Sequence, residues 1–225
     1  MTLARKENRR LIRLRHHGVI ALLVFAASGI CLVLLAQLYP EPERKVFRWS
    51  LMTAYIGLTL LGITLSLGVW NVIRGRRNPV SSDLRRDLGI WCAFLSVAHV
   101  IVGLNVHMKS WTLYFVTEAG WPRADLFGGA NYLGALAGLL VLMLVGTSND
   151  YSIRLLGKTR WKNIQRLNYL FFCFVGLHGA IYLVVENRLV PYAANLGLIG
   201  SWVLAVQWVG FRRKRWEGSA DRIEQ

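Results

Sequence analysis

Residues 85–108 read RRDLGIWCAFLSVAHVIVGLNVHM. After its charged entry the stretch stays apolar for the ~20 residues that a helix rising ~1.5 Å per residue needs to cross ~30 Å of hydrocarbon. His99 stands past the middle, with no charged neighbour in sequence. An imidazole in hydrocarbon is costly, so it faces the bundle interior and takes a partner there. This one segment therefore predicts a membrane-spanning helix and a group held inside the protein by a histidine.

A second stretch has the same layout. Residues 161–183, WKNIQRLNYLFFCFVGLHGAIYL, carry His178 twelve residues after Arg166, much as His99 lies thirteen after Arg86. Two crossings separate the segments, so they run in the same direction and their imidazoles differ by only ~2 Å in depth. Two histidines at one depth on different helices can clamp one planar ligand, and haem is the ligand that suits them. Gly103, one turn beyond His99, and Gly176 and Gly179, flanking His178, let a flat ligand approach the backbone. Phe171, Phe172, Phe174 and Tyr182 offer rings that could wall a porphyrin. His107 comes eight residues after His99, ~80° round an ideal helix, and is assigned to the outer interface, bonded to water or headgroups.

The rest of the chain agrees with a membrane setting. Of its 225 residues 54% are hydrophobic and 17% charged. The predicted fold is all-α, a six-helix transmembrane bundle with spans at 18–38, 51–73, 88–108, 127–147, 163–185 and 192–211. A basic cytoplasmic N-terminus (1–17) precedes it and a cytoplasmic tail (212–225) follows. The apolar run after Arg15 is about 21 residues long and lacks a small-residue cleavage motif, so it reads as a retained first helix. The formal charge of +15 suggests nucleic acid until its distribution is considered. With the N-terminus cytoplasmic, segments 1–17, 74–87, 148–166 and 212–225 hold 21 of the 27 Lys and Arg residues, which satisfies the positive-inside rule. The excess is a skirt facing anionic lipid headgroups, and no basic patch remains for nucleic acid.

Smaller features have ordinary readings. Cys31, Cys92 and Cys173 share no CxxC spacing and are expected as apolar packing residues. Most tryptophans, including Trp161, Trp202 and Trp216, fall near span ends as interfacial anchors. Residues 109–126 form an aromatic external loop, read as a lid or docking element on the membrane surface. The basic loop from Arg154 to Arg166 follows from topology. Asn105 and Asn131 are read as interhelical packing residues before propionate or quinone ligands, and Glu186 and Arg188 as a solvated loop pair.

The motifs RRDLG and LSVAH in the third span, LVGTSND ending the fourth, and LLGKTRWKNIQRLNYL with GLH in the fifth resemble the ferric-reductase-like transmembrane domain family. Within it the likeness is to the MsrQ-type (YedZ) haem b membrane subunits of bacterial periplasmic methionine sulfoxide reductase systems, over about residues 50–185. The resemblance implies a bacterial inner-membrane electron-transfer component in which His99 and His178 are the outer haem ligands. The family's inner position on the fifth helix falls on Gln165, and the matching region of the third helix offers Arg85 and Arg86. A single haem b is therefore the most this chain supports. The resemblance also implies a quinol donor, an external redox protein as acceptor and, as further cofactor, a flavin or quinone that no motif here marks.

An iron with both axial positions filled by histidine suits one-electron transfer. Without a GxGxxG motif or a nucleotide domain, the chain cannot oxidise a nicotinamide alone, so electrons come from quinol or a separate flavoprotein. The alternative reading is a non-redox accessory subunit of a larger membrane complex that keeps the fold without a cofactor. Mid-membrane acidic residues that would carry ions are absent from the spans, which counts against a transporter.

Overall fold

The computed structural model describes residues 3–74, 83–107, 110–187 and 190–223, with the side chains of 3–6, 9–10 and 214–223 outside the description. Arg76, Arg188 and the Trp216 side chain thus lie outside the described residues. Seven α-helices follow one another: α1 (Leu3–Leu38), α2 (Lys45–Ile73), α3 (Asp83–Gly103), α4 (Leu126–Gly146), α5 (Asp150–Gln165), α6 (Asn168–Val185) and α7 (Val190–Ile223). Six segments are long and apolar enough to span a membrane, as the sequence predicts. The only extended pairing among the described residues is an isolated bridge between Val116 and Pro122.

Two boundaries differ from expectation. The fifth span is divided, because α5 ends in a turn at Arg166 and Leu167 before α6 begins. Helix α5 carries five charged residues among sixteen, too polar to cross hydrocarbon, and is kinked at Gly157. There φ is +74°, a backbone region that glycine enters without a Cβ penalty. The third span starts earlier than expected, at Asp83, and stops at Gly103 instead of continuing to 108. Beyond Gly103, tight bonds from the Asn105 N–H to the Val102 carbonyl and from the Val106 N–H to the Gly103 carbonyl turn the chain out of the helix.

Helix α2 is the hub, packed against α1, α3 and α7, while α4 pairs with α6 and bridges to α3. The main core joins Leu61 and Leu65 of α2, Cys92 and Ala93 of α3, Val141 and Leu144 of α4, Phe171 of α6 and Val203 of α7. Large apolar side chains such as Leu22, Phe25, Phe94, Leu139 and Leu204 point outward, the lipid-facing pattern of a membrane bundle. Glycines permit close approach at two points. A Cβ on Gly62 would lie 2.9 Å from Ile199 Cγ2, and one on Gly210 would overlap Val69 Cγ1, so α7 lies directly on α2 there. Because overpacking costs roughly 1–3 kcal/mol, Gly210→Ala should lower the thermal unfolding temperature of detergent-purified protein. Gly200→Ala, whose Cβ meets nothing within 4 Å, should not; equal melting of the two variants would contradict this packing.

At the arginine-rich end, α1 is latched to α3. Asp87 is fully buried and receives Arg13 Nε and Nη2 at 3.0 and 2.7 Å, with His16 and His17 each at 3.3 Å. Cys92 is buried as expected, whereas Cys173 is exposed and so is no packing residue. Trp161 is not an anchor either. It is buried and donates to the Thr147 carbonyl at 2.8 Å, tying α5 to the end of α4.

Candidate functional site

The bundle contains a predominantly apolar cavity of about 410 Å³, lined by α2, α3, α4, α6 and α7, and both His99 and His178 reach into it. Their ring centres are 6.2 Å apart and their planes nearly perpendicular, at 86°. Imidazoles bonded to opposite sides of one metal through ~2 Å bonds hold their ring centres ~6 Å apart, so this spacing fits coaxial ligation. Each ring is fixed from behind. His99 Nδ1 donates to the Ser50 carbonyl of α2 at 3.0 Å, and His178 Nδ1 donates to the Ala130 carbonyl of α4 at 2.8 Å. A carbonyl can only accept, so each neutral ring carries its proton on Nδ1 and its lone pair on Nε2. Backbone contacts of this kind orient metal-binding histidines.

Among the described residues no group of three or more His, Cys, Asp or Glu could hold a bare metal ion. Two opposed imidazoles suit a cofactor that brings its own equatorial ligands, as haem does. The large apolar walls fit a porphyrin face.

Of the expected glycines, Gly103 and Gly179 line the cavity. Gly176 does not: a Cβ there would meet nothing within 4 Å, because it lies on a different face of α6 from His178. The residue that allows close approach is Gly134 of α4, where a Cβ would lie 2.9 Å from both Cε1 and Nδ1 of His178. Ala130, Gly134 and Gly138 form one row at i, i+4 spacing, a small-residue stripe that lets α4 receive the ring. That stripe was the available signal in GGANYLGALAG. Phe171 and Tyr182 line the cavity as expected, while Phe172 and Phe174 pack against the main core.

His107 is placed differently from the sequence expectation. Because the chain leaves the helix at Gly103, its angular position cannot be counted from His99, and it turns back onto the cavity's far end, away from the arginines. It stacks on Tyr182 at 6.3 Å and 22°, and its Nε2 lies 3.3 Å from Glu186 Oε1. Glu186 is thus engaged with His107. Tyr182 donates to Asn131 Oδ1 at 2.8 Å, and its ring centre is 5.0 Å from that of His178. Asn131 therefore serves interhelical bonding, while Asn105, in the turn beyond α3, donates to the Ile101 carbonyl in the last turn of α3 at 2.7 Å.

The external loop is folded and not a plain tether. Its buried Tyr114 donates to the Gly103 carbonyl and accepts the His107 N–H, both at 2.9 Å, which seals the cavity's far end. Asp125 caps α4 by accepting from the Gly128 N–H at 2.7 Å. The hydrogen bond from Arg123, joined by the Gly128 N–H, holds the Asp125 carboxyl below its ordinary value.

Comparison with known proteins gives one consistent likeness. The chain is 29% identical over 161 residues to the magnetosome protein MamZ of Magnetospirillum gryphiswaldense, covering 69% of this chain but 23% of MamZ. It therefore spans under a quarter of that relative's length. It is 27% identical over 166 residues to the protein-methionine-sulfoxide reductase heme-binding subunit MsrQ of Salmonella paratyphi B, covering 71% of this chain and 76% of MsrQ. The MsrQ of Salmonella newport matches to the same extent. No family model and no solved structure matches the chain. This multi-pass membrane protein is thus similar, over about seven-tenths of its sequence, to the MsrQ heme-binding subunits.

Proposed function

We propose that the chain is a haem b electron-transfer subunit of the membrane, holding one haem between His99 and His178. The observation that carries this is the opposed histidine pair, 6.2 Å apart with each Nδ1 fixed by a carbonyl. A haem held by His99 and His178 would supply one-electron transfer there. The chain's own part is to position and insulate. Ser50 and Ala130 set the ring tautomers, Gly134 gives His178 its seat, and the apolar walls exclude water and tune the potential. Tyr114, His107 and Tyr182 close the far end, where an external acceptor protein collects the electron. Likeness to the MsrQ subunits supports the cofactor and the need for a partner reductase.

In this reading both termini are cytoplasmic and the loop at 110–125 faces outward, as the split of basic residues between the two sides requires. A cysteine introduced at Ser110 should react with an impermeant thiol reagent in intact cells. Protection there, with labelling of a cysteine at Ser152, would invert the topology.

Quinol is the proposed donor, since it reaches the site through the membrane. The purified protein, mixed anaerobically with a reduced quinol analogue, should show fast reduction of its Soret band. A cytoplasmic flavin reductase with NADH should act more slowly. Fast reduction by the flavin reductase alone would assign a cytoplasmic donor, and a colourless protein would leave a non-redox accessory subunit.

A further inference from the structure

A second cavity, of about 350 Å³, lies at the arginine-rich end of the bundle. Among the described residues Val141 alone lines both this cavity and the one that holds His99 and His178. Four cationic side chains line it, Arg85, Arg86, Lys162 and Arg166, and among the described residues no carboxylate does. At its margins Asp150 meets Arg86 at 2.7 Å, and Asp87 is turned towards Arg13, His16 and His17 of α1. Positive-inside topology explains cations standing in water. It does not by itself bury one, and the Arg86 side chain is 4% exposed where it meets Asp150.

The walls are also fixed in advance. Trp161 donates to the Thr147 carbonyl at 2.8 Å, and Gln165 Nε2 to Thr147 Oγ1 at 3.1 Å. Tyr169 donates to Gln207 Oε1 at 3.2 Å, and Gln207 Nε2 to the Leu65 carbonyl at 3.1 Å. A rigid polar wall binds without the entropy cost of ordering side chains. Deeper in, Val69, Ala93, Val141 and Leu144 make an apolar floor. The occupant therefore has an anionic head and an apolar body. Guanidinium groups match phosphate oxygens in a bidentate fork, and a basic cavity at the arginine-rich end of membrane spans suits anionic headgroups.

We propose that this cavity binds the phosphate head of an anionic phospholipid, with Arg85 and Lys162 at the phosphate and the glycerol and upper acyl carbons on the apolar floor. A free phosphate ion shares the head chemistry but leaves that floor unused. The site does not depend on haem, so its test reads bound lipid and not electron transfer.

The full chain is purified in mild detergent, stripped of lipid and offered dioleoylphosphatidylglycerol, dioleoylphosphatidylcholine or inorganic phosphate. Native mass spectrometry counts what is retained. One phosphatidylglycerol per chain should be held about tenfold better than phosphatidylcholine, since the ~1.4 kcal/mol that tenfold represents is a modest share of such a charge contact. Inorganic phosphate should displace it. Arg85→Gln with Lys162→Gln should cancel the preference, and Lys162→Gln alone, at an exposed position, covers the case in which the double variant fails to fold. Arg154→Gln with Arg160→Gln, on the exposed face of α5, should leave the preference unchanged. Equal retention of the two lipids, an equal loss in the α5 variant, or phosphate binding without lipid retention would each overturn the assignment.

Discussion

Replacing either His99 or His178 with alanine should strip the purified protein of haem, lowering affinity by more than about 100-fold, the upper end of what loss of an outer-shell contact alone costs a metal site. Both rings converge on one cavity at a spacing of 6.2 Å, so neither can be replaced by its neighbours. His107 lines the same cavity but is stacked on Tyr182 and paired with Glu186, and His107→Ala should retain haem. Pyridine haemochrome content of the three variants, each checked for monodispersity and helicity, is the measurement. Full haem occupancy in both single ligand variants would remove the histidine pair from the account.

A second large effect is expected at a residue that cannot touch iron. Gly134→Val places a branched side chain where a single Cβ already lies 2.9 Å from two atoms of the His178 ring. Either the ring leaves the Ala130 carbonyl or α4 moves off α6, and both disturb the orientation that this carbonyl fixes. Haem affinity should fall about 10- to 100-fold, as when second contacts of metal-binding histidines are removed. Gly176→Val supplies the contrast. It stands two residues from His178 with nothing within 4 Å of its Cβ position and should bind haem normally. If Gly176→Val loses haem and Gly134→Val keeps it, the seat of His178 is misassigned.

What the sequence revealed follows from which physics is local. Spans were legible because hydrocarbon thickness fixes their length, and the matched depth of His99 and His178 was legible because helix rise is constant and each segment has an arginine at one end. The depth count held although Arg166 lies in the turn between α5 and α6, since the turn still marks the basic end.

His107 was misread because counting 100° per residue assumes an unbroken helix, and the break at Gly103 is stabilised by Tyr114, a residue eleven positions on. Gly134 was missed for a related reason. A stripe of small residues says that something approaches closely but not what, and only the folded chain shows that it is the His178 ring. Gly176 looked equivalent to Gly179 by adjacency to His178, yet Gly179 lies against Tyr192 and Leu196 of α7 while a Cβ on Gly176 would meet nothing within 4 Å. The latch of Arg13, His16 and His17 on Asp87 was hidden among cations that topology alone would place there.

The central claim is a single haem b with two histidine axial ligands in one chain. Haem stoichiometry of the unaltered protein tests it most directly, by pyridine haemochrome against protein concentration, with near-infrared magnetic circular dichroism of the oxidised form identifying the axial pair. The account predicts one haem b per chain with a bis-histidine signature. A protein that binds none after expression in haem-replete cells, or binds two, or shows an axial ligand other than histidine, would contradict it.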